Sequence, residues 1–136
     1  MEPERLEQIR LFANLSAEDR ADVAACMREV TVDAGTELTT QGDWAYELFV
    51  IEAGEAEVRK DGEVVRKLGA GDAFGEIGLM ATGTRTASVV ATSSMRLAAM
   101  FLREYTQLQH RVPDLAKSLR EIIAERGAHT GFRPAG

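Results

Sequence analysis

Two side chains of opposite charge, Glu76 and Arg85, stand nine residues apart inside the stretch Phe74-Gly-Glu-Ile-Gly-Leu-Met-Ala-Thr-Gly-Thr-Arg-Thr-Ala-Ser88, in surroundings that suit an anion cradle. Gly75 lets the backbone turn tightly and approach a ligand. Glu76 to Met80 is long enough for one short helix, whose first N–H groups would point back at the turn and attract an anion. Arg85 opens an alternating run, Thr86 to Thr92, that reads as a half-buried strand. A guanidinium at that position forks onto a phosphate while the helix end takes its other oxygens. Glu76 would repel the same anion unless it faced something else, and a sugar hydroxyl is the natural candidate. Phosphate plus ribose describes a nucleotide. The plainer alternative pairs Glu76 with Arg85, but a partly buried ion pair contributes little net stability once desolvation is counted. Gly35, Gly42, Gly54, Gly62 and Gly69 read as turn residues.

The elements that must hold this stretch are short. Residues 4 to 11 fit a helix, and Ser16-Ala17-Glu18-Asp19 is a capping-box-like start for a second, running to about Met27 with Val23, Ala24 and Met27 on one face. Strand segments separated by turn signals follow: Glu29 to Val32, Glu37 to Thr40, and Glu47 to Ile51 before Gly54. Glu55 to Arg59 alternates strictly, Asp61-Gly62 is a two-residue hairpin signal, and Glu63 to Leu68 returns. Thr92-Ser93-Ser94 turns the chain into Met95 to Phe101, closing a double-sheet, jelly-roll-like β-barrel of about eight strands. After Phe101 the period becomes helical, with Phe101, Tyr105, Leu108 and Val112 on one side. Pro113 opens a last helix to Arg126, striped by Leu115, Leu119, Ile122 and Ile123, with Gly127 as its stop. The fold expected is mainly β with flanking helices: N-terminal helices over 1–28, a barrel over 29–100 carrying a short phosphate-cassette helix, and two C-terminal helices over 101–126. Together they make one domain, 1–127, with 128–136 as a flexible tail.

Phe74-Gly75-Glu76-Ile77-Gly78-Leu79 followed by Arg85-Thr86-Ala87-Ser88-Val89 resembles the phosphate-binding cassette of the cyclic-nucleotide-binding domains found in bacterial catabolite activators, kinase regulatory subunits and nucleotide-gated channels. The resemblance runs from Leu11-Phe12 through the glycines at 35, 42, 54, 71 and 75 to Arg126, and the cassette is its specific part. It implies that Glu76 takes the ribose 2′-hydroxyl, that Arg85 takes the cyclic phosphate, and that backbone N–H groups from Gly75 through Ile77 to Gly78, and at Ala87, complete the cradle. Val58 and Val65 would wall the base. Leu119, Ile122, Ile123 or Arg126 would supply a lid from the last helix, which together with the helix before it is the moving part of the family. The ligand expected is cAMP or cGMP. Thr86 is compatible with a bond to a guanine amino group, yet channel domains with the same Arg-Thr-Ala run respond to cAMP, and cAMP is favoured as the commoner ligand.

Other classes of activity lack their residues. A metal-dependent barrel enzyme needs several inward His or carboxylate ligands, and this chain has His110 and His129, both C-terminal. There is no Walker loop and no nucleophile elbow, and Gly69-Ala70-Gly71 meets Phe74 where a dinucleotide fingerprint requires glycine. No catalysis, no metal and no cofactor other than the ligand is expected. A net charge of −6 and a pI near 5.0, with scattered Arg59-Lys60 and Arg66-Lys67 pairs, argue against a nucleic-acid surface. With a last helix of about fourteen residues and no helix-turn-helix after it in this sequence, direct DNA binding is not expected. Apolar runs at Leu48–Ile51 and Leu97–Phe101 fall short of a membrane span, and acidic Met1-Glu2-Pro3-Glu4 is unlike a secretory signal. A cytoplasmic monomer is expected, starting naturally at Met1, with Cys26 a small buried apolar residue and an effector protein or further domain receiving the signal. The competing expectation is a ligand-free barrel of the same fold acting as a protein-interaction module.

Overall fold

The computed structural model describes residues 1–43, 47–75 and 87–130, with side chains through Glu121. Helices α1 (Pro3–Leu6) and α2 (Ala17–Cys26) precede strands β1 (Arg28–Val32), β2 (Glu37–Thr39), β3 (Glu47–Ala53), β4 (Ala56–Lys60), β5 (Glu63–Leu68), β6 (Ala73–Phe74), β7 (Ser88–Ala91) and β8 (Met95–Phe101). Helices α3 (Leu102–Arg111) and α4 (Pro113–Thr130) follow. Among the described residues all pairings are antiparallel, in two four-stranded sheets of order β1-β8-β3-β6 and β2-β7-β4-β5. This is the mainly β, jelly-roll arrangement with helical flanks that the strand and turn pattern predicts.

The two sheets are buried differently. In the first, Leu48 and Val50 of β3 and Ala98 and Met100 of β8 face the helices, while Phe49, Ile51, Leu97 and Ala99 face the barrel interior. Successive side chains point to opposite faces, so burial on both sides makes every position apolar. In the second sheet Ala56 and Val58 turn inward, whereas Glu57 and Arg59 pair with each other on the outer face at 2.9 Å. The alternation read in β4 is that difference.

Asp61 and Gly62 both take left-handed angles, φ 53° and 83°, giving the tight hairpin between β4 and β5. At Gly54, between β3 and β4, φ is +101°, and an added Cβ would stand 2.5 Å from the Ser94 carbonyl oxygen and 2.9 Å from Met95 Cα. Those are backbone atoms with little room to move. Gly54→Ala is therefore expected to cost about 2 to 4 kcal/mol, combining left-handed strain with overpacking. A urea titration should give a lower midpoint at unchanged slope, and an unmoved midpoint would refute the steric argument.

The N-terminal region departs from expectation. Instead of a helix over 4–11, α1 ends at Leu6 and the chain continues in turns whose N–H groups reach back three residues: Ile9 to Leu6, Phe12 to Ile9 and Leu15 to Phe12. A three-residue repeat stacks Leu6, Ile9, Phe12 and Leu15 on one side, and all four are buried. α2 starts as expected, with Ser16 Oγ accepting from the Asp19 N–H at 3.1 Å. Cys26 is half-buried rather than buried; desolvation, then a hydrogen bond with Glu104, pushes its thiol up.

Arg5 ties α1 to the first sheet, donating to Glu29 of β1 at 3.0 Å and to Glu52 of β3 at 2.8 Å. The Arg5 guanidinium holds the Glu29 carboxyl below the usual carboxylate range. The stabilisation from that pair is thus present above the unfolded carboxylate pKa of about 4.3 and is lost as pH falls through the lower folded value. The difference in melting temperature between wild type and Glu29→Gln should be constant above about pH 5 and shrink toward zero in acid. A difference that grows as pH falls would contradict the pairing.

At the C-terminal side Phe101 is 42% exposed, stacked under the Arg28 guanidinium, and does not join the helical stripe. β8 extends through Phe101, paired with Glu47, so the strand period sends Met100 inward and Phe101 outward, and Leu102 opens the buried face of α3. Pro113 begins α4 as expected, and Leu115 and Leu119 are fully buried. The helix does not stop at Gly127 but runs to Thr130, 18 residues, so 128–130 are helical and not tail. A glycine inside a helix costs about 1 kcal/mol against alanine without ending it.

Candidate functional site

The stretch that carries the chemistry leaves one sheet and returns on the other. Its first residues, Ala73 and Phe74, form β6 and pair with Val50 and Phe49 of β3. Phe74 is fully buried, with its ring stacked on Phe49 at 5.0 Å between centroids and 17° between planes. Gly75 follows at φ +98°, the left-handed turn that a β-carbon would strain. The run-in is held as well: the Gly71 N–H donates to Ile51 O and the Ile51 N–H to Asp72 O, both at 2.8 Å, and Asp72 Oδ2 accepts from the Gly69 N–H at 2.8 Å.

At the other end Ala87 is fully buried and Ser88 begins β7, where Arg59 faces Ser88 and Val58 faces Val89. Thr39 Oγ1 donates to Ala87 O at 3.3 Å, and the Gln41 N–H donates to Ser88 Oγ at 2.9 Å. Phe74 and Ala87 belong to the same interior cluster as Phe49, Val58, Leu68 and Val89, so both ends of the stretch rest on one apolar floor.

The two expected wall residues lie on that floor by different routes. Val58 is fully buried by strand alternation. Val65 reaches it because the β4–β5 register shifts: Val58 faces Arg66 and Arg59 faces Val64, leaving Val65 as the extra residue of a bulge. It packs partly buried against the barrel cluster, while Val64 is 51% exposed. Leu119, expected as a lid candidate, sits fully buried among Leu6, Phe12, Leu108 and Leu115 in the helical core and is not part of the barrel cluster. It is a packing residue here. Glu76, Ile77, Gly78, Arg85 and Thr86 lie outside the described residues, and so do the side chains of Ile122, Ile123 and Arg126.

Sequence reasoning missed the anchors Thr39, Gln41 and Phe49. Leu38-Thr39-Thr40 carries no motif, and a threonine on a strand is unremarkable until its partner 48 residues away is known. A hollow of about 680 Å³ lined by Thr31, Asp33, Thr36, Ser94 and Arg96 lies toward the Ala91 end of β7, where the Ala91 N–H donates to Thr36 O. Among the described residues no group of three or more His, Cys, Asp or Glu is placed to hold a metal, and no helix is long and apolar enough to cross a membrane.

Two antiparallel sheets around an apolar interior, with helices packed on one of them, define a jelly-roll barrel with helical flanks. Its family follows from comparison. Residues 29–111, from β1 through α3, match the cyclic nucleotide-binding domain, and the chain belongs to that family. It is similar to the cAMP-dependent protein kinase regulatory subunit of Schizosaccharomyces pombe, 33% identical over 114 residues, which are 83% of this chain and 28% of that protein. The curated relatives it matches are longer, and the chain spans between 21% and 32% of their lengths. Among solved structures, a cyclic nucleotide-binding domain from Methylobacillus flagellatus superposes with a TM-score of 0.78 at 26% identity, covering 93% of this chain and 76% of that one. The Thermus thermophilus catabolite activator protein gives a TM-score of 0.76 at 29% identity, covering 88% and 59%.

Proposed function

We propose that this chain is a regulatory sensor that binds a cyclic nucleotide, cAMP in preference to cGMP, between Phe74 and Ala87, and passes the signal on by repositioning its C-terminal helices. The observation that carries the reading is the seating of both ends of the cassette on one apolar floor. A β6 residue and the first residue before β7, from opposite sheets, enclose the same cluster that includes Val58 and is edged by Val65. In this reading Arg85 takes the cyclic phosphate, Glu76 the ribose hydroxyl, and the N–H groups from Gly75 to Gly78 and at Ala87 the remaining oxygens. Val58 and Val65 meet the base. The relatives named as cAMP-dependent kinase regulatory subunits support cAMP as the ligand and a regulatory, non-catalytic role.

The lid falls to the part of α4 beyond Leu119, with Ile122, Ile123 and Arg126 as its residues, since Leu119 is committed to the helical core. Ligand binding shifts the population toward the arrangement in which these helices cover the base, and it does so through a higher affinity for that state. The output passes to an effector protein or domain in the cytoplasm. Calorimetric titration with cAMP and cGMP, after unfolding and refolding to strip carried-over ligand, tests the reading. One-to-one saturable binding, tighter for cAMP, is the expected result; folded protein that gives no heat with either nucleotide overturns it.

A further inference from the structure

The β2–β7 ladder is short and irregular. Glu37 faces Val90 and Thr39 faces Val89, with a shift between them, and β2 ends at Thr39. Past that point two side chains replace backbone pairing. Thr39, 4% exposed, donates its hydroxyl to Ala87 O, and Ser88 Oγ accepts the Gln41 N–H. Gln41 is in turn held by the β4–β5 hairpin tip: its Nε2 donates to Asp61 Oδ1, and the Asp61 N–H donates to its Oε1, each at 2.9 Å. Three elements thus converge on residues 87 and 88.

The consequence is geometric. The Ala87 methyl is buried in the barrel cluster and its carbonyl is directed by Thr39, so two of the four directions at its Cα are set. Tetrahedral geometry leaves two places and the L configuration selects one of them for its nitrogen, the atom that leads back to Thr86. Valine would suit a buried strand position at least as well for packing. What a hydroxyl adds is direction.

Resting on the sensor reading above, we propose that Thr39 is a positioning residue for the cyclic phosphate: its hydroxyl, with the Gln41–Ser88 bond beside it, fixes the C-terminal end of the cassette so that the Ala87 N–H meets the ligand already oriented. Thr39 touches no ligand and acts through Ala87.

The test compares wild type, Thr39→Val and Thr39→Ser in calorimetric titrations with cAMP and with the two diastereomers of cAMP in which one exocyclic phosphate oxygen is sulfur, a weaker acceptor. Melting temperatures are recorded for each protein without ligand. Thr39→Val is expected to bind cAMP about tenfold more weakly. It should also discriminate less between the diastereomers, because a loosely held N–H no longer selects the oxygen position. Thr39→Ser, which keeps the hydroxyl, should restore both. Wild-type affinity and discrimination in Thr39→Val would overturn the proposal, as would a loss that tracks melting temperature and is not restored by serine. If Thr39→Val fails to fold, Ser88→Ala carries the same comparison with the same two outcomes. A wild type that binds no cAMP overturns the sensor reading and this inference with it, whereas a wild type that binds and a Thr39→Val that binds equally well overturns this inference alone.

Discussion

Arg85→Ala is expected to fold with an unchanged melting temperature in the absence of ligand and to bind cyclic nucleotide at least about thirtyfold more weakly than wild type. The size follows from charge. Truncating one partner of a desolvated, hydrogen-bonded charge pair costs roughly 2 to 5 kcal/mol, much of it because the other charge is left without its partner. A cyclic phosphate carries one negative charge, and the chain's own net charge of −6 opposes its approach, so capture depends on a local cation. Arg85→Lys keeps the charge but loses the planar fork, and should fall between the two. Calorimetry on the three proteins checks the ranking, and equal affinities for wild type and Arg85→Ala would remove Arg85 from the site.

Phe74→Ala is expected to have the largest effect on stability, lowering it by about 3 to 5 kcal/mol, the range for deleting a buried phenylalanine ring. Phe74 is fully buried, stacked on Phe49, and lies on a strand of two residues. The same substitution loosens the first anchor of the cassette, so affinity should fall along with stability. Phe74→Leu, which refills most of the space, should recover most of the stability. Combining Phe74→Ala with Phe49→Ala should cost less than the sum of the two single changes, because the stacked pair is lost only once. Urea unfolding of the four variants measures this, and strict additivity would show that the two rings act independently.

The helical and barrel cores meet across the first sheet. Ala73 packs with the helical cluster and Phe74, its neighbour, with the barrel cluster. The two residues that lead into the cassette therefore touch both the floor beneath the proposed ligand and the core that holds α3 and α4. A displacement at one is felt at the other because close-packed interiors transmit strain.

What the sequence determined by itself was whatever depends on neighbours in the chain. Asp61-Gly62 announced its hairpin because two consecutive left-handed residues are what a two-residue turn requires, and both are left-handed. Ser16 announced the start of α2 because a helix end needs an oxygen within three residues, and Pro113 the start of α4 because its missing N–H is harmless there. The cassette motif was legible for the same reason, since its glycines, carboxylate and arginine lie within fifteen consecutive residues, and the roles given to Glu76 and Arg85 remain part of the proposed function. Tertiary structure decided the rest. Leu48–Ile51 reads as an apolar run, and only packing between helices and barrel assigns alternate residues to separate cores. Residues 7–11 kept a three-residue repeat where a helix was expected, in register with the turns that follow to Leu15, so that Leu6, Ile9, Phe12 and Leu15 are all buried. Phe101 went to solvent because, as the last residue of β8 paired with Glu47, it follows the strand period and not the helical stripe on which it was expected. Thr39 shows the limit most clearly, since its partner at Ala87 is 48 residues away and a hydroxyl carries no sign of which carbonyl it will meet. Local backbone demands are written beside the residues that make them, whereas pairing between distant segments exists only once the chain has closed.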